Sequence, residues 1–264
     1  MSSHYVLFNI SDIGKIPPTP LVSEVDDNLT PEATDVLIKF GNQFGFPISY
    51  KQEQNGRLIQ NILPVFKTEY GQISTSSKND LYLHTEAAFH PYRPSHVLLL
   101  CVRGSSSVAT TIASIDKIMD KLDEETLSIL KLPFFETGVD ESFMSKNKTN
   151  FKLVTSVFRD TEDKIDQLRW TMVFDWLLMN GMNTEAKIAF EKLKNAVRDS
   201  IENVYLKTGD LIVIDNNRAV HGRTKFQPRY DGTDRWVKRL LTIKTMPPKA
   251  HVNGNVIVTE FNNG

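Results

Sequence analysis

The sequence predicts a mainly β fold in which two sheets form a barrel with helices on its outside. Most segments with a regular pattern are short and β-like, and only three stretches have helical spacing. Long connections separate several strands, which is typical of strands that cross between two sheets rather than follow a meander. With 264 residues, 40% of them hydrophobic, the chain can bury a substantial core, and we expect one domain covering residues 1–264.

Three stretches are predicted to be helical. The first begins at Thr30, an N-cap residue followed by a proline at the first helical position, and ends before Gly45. The second runs from about Ser114 to Leu130, where apolar residues share one face. The third begins near Asn183 and repeats apolar residues at helical spacing, with lysine and glutamate on its other side.

Nine segments are predicted to be strands because they are short and β-like. They are Tyr5–Asn9, Leu58–Phe66, Asp80–Glu86, Val97–Arg103, Phe151–Arg159, Leu168–Asp175, Leu211–Ile214, Trp236–Thr245 and Asn255–Phe261. The segment Pro133–Asn150 is polar, irregular and long. It is predicted to be either a plain loop or a lid over a site.

Charge and cysteine content exclude several classes of protein. The chain has 31 lysines and arginines against 32 acidic residues, and this balance argues against nucleic acid or an anionic membrane as the main partner. No segment resembles a signal peptide or a membrane span, so we expect a soluble, cytoplasmic protein. Cys101 is the only cysteine. An intrachain disulfide and a thiolate zinc site are therefore impossible, and any metal must bind imidazole and carboxylate groups.

Two of the six histidines have a setting that suggests a metal site. Taken singly, each histidine is more often a surface or structural residue than a ligand. His84 and Glu86 lie two positions apart in a predicted strand, so both side chains would project from the same face. His221 follows the run Leu211–Asp215 and a predicted turn at Asn216-Asn217, a setting that could bring a third ligand back to the sheet interior. Two histidines and one carboxylate form the facial triad of non-haem Fe(II) oxygenases.

The segment after His221 carries two arginines at a spacing that places them on one face of a strand. Arg235 and Arg239 share this face with two apolar residues, Val237 and Leu241. One interpretation is that both guanidinium groups face solvent or internal carboxylates. The alternative is that each binds a carboxylate of a ligand, because a buried guanidinium needs an anion.

Three separated motifs resemble the Fe(II)/2-oxoglutarate oxygenases of the clavaminate synthase-like group, in the taurine dioxygenase superfamily. They are LHTEAAFHPYRPSHVLLLCVRG at 83–104, GDLIVIDNNRAVHGRT at 209–224 and DRWVKRLL at 234–241. The similarity extends over about 58–245 and is greatest to bacterial hydroxylases of free amino acids. It implies a double-stranded β-helix, or jelly roll, and Fe(II) bound by His84, Glu86 and His221.

The resemblance also implies residues that bind the co-substrate. Arg235 lies 14 residues after His221 and matches the arginine that binds the far carboxylate of 2-oxoglutarate. The segment ATTIAS matches a threonine that contacts the same carboxylate, and either Thr110 or Thr111 can be that residue.

Three further residues are implied to bind the substrate. Arg239 matches an arginine that holds the α-carboxylate in amino-acid hydroxylases. Gln60 matches a polar residue near the α-amino group, although it can equally be a strand amide that pairs with backbone. Asp175 falls near acidic residues that meet a basic side chain in arginine-hydroxylating relatives, or it forms a turn.

The resemblance thus implies a dioxygenase that uses Fe(II), 2-oxoglutarate and O2 to hydroxylate an unactivated C–H bond of a free L-amino acid. Asp175 favours a basic substrate, lysine or arginine. Glu86 argues against the halogenases, in which a small residue replaces the carboxylate ligand. One alternative is an oxygenase of another small anion, similar to taurine dioxygenase. Another is a jelly-roll binding protein without catalytic activity.

Overall fold

The computed structural model describes residues 4–144, 151–160, 170–259 and 261. The helices are α1 (Pro31–Phe44), α2 (Ile115–Met119), α3 (Glu124–Leu130) and α4 (Thr184–Arg198). The strands are β1 (Tyr5–Asn9), β2 (Phe46–Tyr50), β3 (Gln60–Ile62), β4 (Leu81–His84), β5 (His96–Arg103), β6 (Thr110–Ser114), β7 (Phe135–Gly138), β8 (Lys152–Thr155), β9 (Phe158–Asp160), β10 (Trp170–Met172), β11 (Met179–Gly181), β12 (Glu202–Val204), β13 (Asp210–Asp215), β14 (Ala219–Arg223), β15 (Trp236–Ile243), β16 (Val252–Asn253) and β17 (Val256–Ile257). No described helix has both the length and the apolar character to cross a membrane.

Two sheets face each other and form a double-stranded β-helix, or jelly roll, as the sequence predicts. The larger sheet has the strand order β1-β13-β5-β15-β2-β17-β16, with β3 also paired to β15. The smaller sheet has the order β12-β6-β14-β4. Apolar side chains from both sheets meet in a common core between them, including Leu99 of β5 and Ile112 of β6.

The central strands of the larger sheet are buried on both faces. Because successive side chains point to opposite faces, they pack alternately between the two sheets and beneath α1. Leu99 and Cys101 of β5 point into the core between the sheets, whereas Leu98 and Leu100 pack beneath α1. Strand β15 alternates in the same way. Its outer face includes Lys238, which is buried under α1 and donates a hydrogen bond of 2.6 Å from Nζ to the Thr34 hydroxyl.

Two of the predicted helices form as expected, and the third is interrupted. Helix α1 begins directly after Thr30, and α4 is capped by the Asn183 side chain, which accepts a hydrogen bond from the backbone N–H of Ala186. The prediction of one helix over Ser114–Leu130 is wrong, because α2 ends at Met119. Asp123 then caps a separate helix, α3, by accepting from the backbone N–H of Thr126.

The predicted strands are found, but most of them have different bounds. Leu58–Phe66 contains only β3, and Phe151–Arg159 divides into β8 and most of β9. Residues 161–169 lie outside the described part, so the start of the Leu168–Asp175 prediction is not covered. The unpredicted strands are short and have no long alternating pattern; they are β2, β6, β7, β11, β12, β14 and β16. The segment Pro133–Asn150 includes strand β7, so it is not wholly irregular, and its residues 145–150 lie outside the described part.

A cluster of aromatic residues, named here the aromatic cluster, consists of Tyr50, Phe89, His90, Phe143 and Phe261. Phe143 belongs to a short 3-10 turn, Glu141–Phe143, and its ring centroid lies 5.0 Å from those of Tyr50 and Phe89. His90 is fully buried in this cluster, and its Nδ1 accepts a hydrogen bond from the backbone N–H of Tyr92. Burial lowers the pKa of His90 to about 3, so its imidazole is neutral.

Candidate active site

A cavity of about 280 Å³ lies at one end of the barrel. One side is formed by side chains on strands β4, β6, β14 and β15, and the other by loops that include Gln72–Ser74, Asp140–Ser142 and Asp175–Leu178. The cavity contains His84, Glu86, His221, Thr110, Arg235, Arg239 and Asp175. The structure therefore brings together most of the residues that the sequence analysis singled out.

His84, Glu86 and His221 converge in this cavity. Strand β14 pairs with β4 so that His221 lies directly opposite His84, and the two ring centroids are 4.7 Å apart. One candidate ligand atom from each of the three residues lies within 4.8 Å of the others. No other such group of three metal-ligating side chains occurs within residues 4–144, 151–160, 170–259 and 261.

Glu86 reaches this position from a turn rather than from a strand. The prediction that His84 and Glu86 share one strand is wrong, because β4 ends at His84. The backbone of Glu86 is instead held by the Asn216 side chain, which accepts from the Glu86 N–H at 2.8 Å and donates to the Glu86 carbonyl at 3.2 Å. Asn216 was predicted only as a turn former, so its support of Glu86 was missed.

The polar atoms of the three residues fit a divalent metal. His84 Nδ1 donates to the Tyr82 carbonyl at 2.8 Å, which leaves the Nε2 lone pair available. Burial lowers the pKa of His221 and keeps it neutral, although Glu86 acts in the opposite direction. Burial alone would raise the pKa of Glu86, but Arg239 and His221 lower it well below its usual value, so the carboxylate is ionised. Its buried Oε2 has no hydrogen-bond partner among the described residues and lies 3.4 Å from His221 Nε2. Such a set of two imidazoles and one carboxylate suits Fe(II).

Arg235 and Thr110 meet at one end of the cavity, named here the cationic end. Arg235 is buried, and its Nη2 donates to the Thr110 hydroxyl at 3.3 Å. Thr110 lines the cavity, whereas Thr111 lies opposite Gly222 in the neighbouring strand and does not line it. The geometry therefore favours Thr110 where the sequence left two choices. Within the described residues, no carboxylate lies at ion-pair distance from Arg235.

Arg239 is engaged by three side chains of the protein. Its Nη1 donates to Glu86 Oε1 and its Nη2 to Glu53 Oε1, each at 2.8 Å. Its Nε donates to Gln60 Oε1 at 2.9 Å. The Oε1 atom of Gln60 therefore pairs with the Arg239 side chain and not with backbone. Glu53 and Glu86 are internal carboxylates of the kind that was predicted as one possible partner of Arg239. Glu53 was missed because it lies in a turn after β2 and 186 positions from its partner.

A second group of carboxylates lines the loop side of the cavity. Asp175 Oδ1 accepts from the backbone N–H groups of Leu177 and Leu178 at 2.9 and 2.7 Å, so this residue does form a turn, and it also lines the cavity. Asp140 lies nearby, where its Oδ1 caps the 3-10 turn by accepting from Ser142 N–H at 2.7 Å. Burial raises the pKa of Asp140. Neither aspartate forms an ion pair in the described part of the chain. Asp140 was not predicted to be a site residue.

Comparison with known proteins connects this geometry to a family of enzymes. The sequence profile of the taurine catabolism dioxygenase TauD, TfdA family matches residues 25–241. An L-lysine 3-hydroxylase of Catenulispora acidiphila is 29% identical over 98% of this chain and 73% of its own length. An enduracididine beta-hydroxylase of Streptomyces hygroscopicus is 32% identical over 75% of this chain and 63% of its own length.

Solved structures with the same fold include enzymes bound to iron and product. An asparagine oxygenase in complex with Fe(II), 2S,3S-3-hydroxyasparagine and succinate matches with a TM-score of 0.84 and 27% identity, over 97% of this chain and 80% of that chain. The non-heme iron oxygenase OrfP, in complex with Fe, succinate and (3S)-hydroxy-L-Arg, matches with a TM-score of 0.81 and 28% identity, over 91% of this chain and 76% of that chain.

Proposed function

This chain belongs to the taurine catabolism dioxygenase TauD, TfdA family and is an Fe(II)/2-oxoglutarate-dependent dioxygenase, and we propose that it hydroxylates a free basic L-amino acid. The family assignment discards the alternative of a binding protein without catalytic activity. Relatives named as hydroxylases of lysine and of ornithine and arginine support the proposed class of substrate.

We assign the metal to His84, Glu86 and His221, and the far carboxylate of 2-oxoglutarate to Arg235 and Thr110. When bound, Fe(II) and 2-oxoglutarate supply the oxidising chemistry: O2 is consumed, 2-oxoglutarate becomes succinate and CO2, and one oxygen atom enters a substrate C–H bond. The residues of the chain orient these partners. The buried guanidinium of Arg235 provides a planar pair of donors for a carboxylate.

The pairing of Arg239 with Glu53 supports recognition of an amino-acid head group. A free amino acid carries one carboxylate and one ammonium. Its carboxylate can replace Glu53 on Arg239 while its ammonium pairs with Glu53, so the exchange leaves no buried charge without a partner. A simple anion cannot do this, because it would add a third carboxylate beside Glu53 and Glu86. This charge balance favours a free amino acid over other small anions.

The observation that carries the choice of a basic substrate is the pair of aspartates on the loop side. Asp140 and Asp175 both line the cavity, and neither has a cationic partner within the described residues. A lysine ammonium or an arginine guanidinium would supply that partner. With Arg239 holding the head of the substrate and the aspartates holding its tail, the carbon to be oxidised is chosen by geometry.

The test is an incubation with Fe(II), 2-oxoglutarate and single amino acids, mixed without O2 and then exposed to air. We expect lysine, arginine or ornithine to gain one oxygen atom by mass spectrometry, with an equal amount of succinate. Citrulline and norleucine, which lack the cationic tail, are matched controls and are expected to react poorly. If a neutral amino acid or a sulfonate is oxidised instead, the proposed substrate class is wrong.

A further inference from the structure

Arg223 is a buried cation at the cationic end to which neither the family resemblance nor the proposed mechanism gives a role. It lies two residues after His221 on strand β14, so both side chains project from the same face. Across the sheet it pairs with Thr110 of β6, the residue that contacts Arg235. Arg223 also lines the cavity.

The ring centroid of Phe226 lies 5.2 Å from Arg223 Cζ, and the hydrogen bonds of the guanidinium within the described residues all go to neutral atoms of one loop. It donates to the Ser76 carbonyl, to the Ser76 hydroxyl at 3.2 Å and to the Asn79 carbonyl at 3.0 Å. Its Nε is buried without a hydrogen-bond partner in the described part of the chain. The neighbouring stretch of this loop, Gln72–Ser74, forms part of the cavity wall.

No carboxylate forms an ion pair with Arg223 among the described residues. A guanidinium stays protonated at neutral pH, so Arg223 is charged there. Asp80 does not reach ion-pair distance, and its Oδ1 accepts from the Lys225 N–H. Two buried guanidinium groups therefore face one end of the cavity without a paired carboxylate, whereas Arg239 is paired with two.

Buried charges of one sign at one place favour a ligand of the opposite sign. A surplus of two positive charges also favours a dianion over a monoanion of the same shape. Five acidic residues line the cavity: Glu53, Glu86, Asp140, Glu141 and Asp175. Glu53 and Glu86 pair with Arg239, and none of the five forms an ion pair with Arg223 or Arg235 in the described part of the chain.

We propose that Arg223 is a specificity-determining residue for the co-substrate, whose charge acts with that of Arg235 to select a 2-oxo acid with a second carboxylate. The proposal rests on the proposed function, because it takes 2-oxoglutarate as the ligand of the cationic end. Arg223 acts through its charge and through the loop that it holds, while Arg235 makes the direct contact.

The test measures binding rather than turnover. Mn(II)-loaded protein is titrated by calorimetry with 2-oxoglutarate and with its 5-methyl ester, in which a neutral ester replaces the distal carboxylate. Arg223→Gln removes the charge but keeps a hydrogen-bond donor. We expect it to weaken the affinity for 2-oxoglutarate by about 10-fold and to change the affinity for the 5-methyl ester by no more than about twofold. Arg223→Lys should recover most of the loss.

Ser76→Ala provides the matched control for the loop contact, because it removes one hydrogen bond of Arg223 without changing any charge. We expect this variant to discriminate between the two ligands as the wild type does. Equal weakening of both ligands by Arg223→Gln would mean that Arg223 only holds the loop, and no weakening would mean that it has no role in this site. Failure of the wild-type protein to bind 2-oxoglutarate at all would instead contradict the proposed function.

Discussion

The two sides of the cavity differ in the elements that carry them and in the charge that they present. The strand side bears His84, His221, Arg235 and Arg239, in strands or at their ends. The loop side bears Asp140 and Asp175, which are fixed by hydrogen bonds to nearby backbone N–H groups. The strand side therefore carries the arginines of the cavity, and the loop side carries the two aspartates that have no cationic partner among the described residues.

This difference separates the reaction from the choice of substrate. Strand register fixes the spacing of His84, His221 and Thr110, because these residues lie in strands that are paired by backbone hydrogen bonds. The loop residues depend on local caps and can differ between proteins that share the sheets. We expect changes on the strand side to abolish or weaken the reaction itself, and changes on the loop side to alter which amino acid is used.

The largest expected effect is the loss of the metal from the strand side. His221→Ala should abolish stoichiometric Fe(II) binding and reduce turnover to background, because one of three protein ligands is missing. Metal analysis after desalting and succinate formation measure both effects. His251→Ala, which changes a histidine outside the cavity, should retain both properties. Normal activity in a folded His221→Ala protein would contradict the assignment.

Next in size are the separate roles of the two arginines. Arg235→Lys keeps the charge but loses the planar donor pair, so it should raise the KM for 2-oxoglutarate between about 10- and 100-fold with less effect on the amino acid. Arg239→Lys should do the reverse. Steady-state kinetics with each ligand varied in turn provide the measurement, and equal effects on both ligands would show that the two roles are not divided in this way.

Smaller effects are expected on the loop side, where they would sharpen the comparison. Asp140→Asn and Asp175→Asn each remove a negative charge but keep an oxygen that can accept the capping hydrogen bonds. We expect kcat/KM for the basic amino acid to fall about 10-fold in each variant, because both aspartates are half-buried and both line the cavity. Binding of Fe(II) and 2-oxoglutarate should be unchanged. If kcat/KM is unaltered with every basic substrate, then the two aspartates do not bind a cationic substrate side chain.

The smallest effect concerns stability rather than activity and involves the aromatic cluster. His90 is neutral in the folded protein with a pKa of about 3, whereas in the unfolded chain its value is 6.5. The unfolded state therefore binds the extra proton as the pH falls below 6.5, and stability decreases. Between pH 7 and pH 5 this contributes a loss of about 2 kcal/mol. In the His90→Asn variant, the free energy of unfolding should lack this part of the pH dependence, which urea unfolding at pH 7 and at pH 5 measures. If the free energy of unfolding depends on pH identically in the wild type and the variant, the prediction is wrong.

Strand periodicity predicted that Arg235 and Arg239 share one face, and both line the cavity. The grouping of His84, Glu86 and His221 was implied by the family resemblance instead, because β14 was not predicted and Glu86 lies beyond the end of β4. Glu53 and Asp140 could not be found in this way, since they lie in turns and meet the cavity only through tertiary contacts.

The same distinction explains the errors in the fold. The helix predicted over Ser114–Leu130 has the right apolar face, but the Asp123 cap and its acidic neighbours begin a second helix. That N-terminal pattern was present in the sequence and was outweighed by the apolar periodicity. Strand β14 has only five residues, two of which are charged or titratable side chains facing the cavity, so it lacks the apolar alternation that identifies a strand.

The 3-10 turn that carries Asp140 has a consequence for how new specificities arise in this protein. Phe143 is held in the aromatic cluster, while Asp140, three positions earlier, faces the cavity. Phe143 and Asp140 are thus close in sequence but directed to different places. The charge at position 140 can therefore be removed while the packing of Phe143 stays intact, provided that the new side chain still caps the turn, as asparagine or serine can. Evolution and laboratory selection can in this way change the preference between basic and neutral substrates through single codon changes. A library randomised at 140 and 141 with Phe143 retained is the natural starting point for such a search.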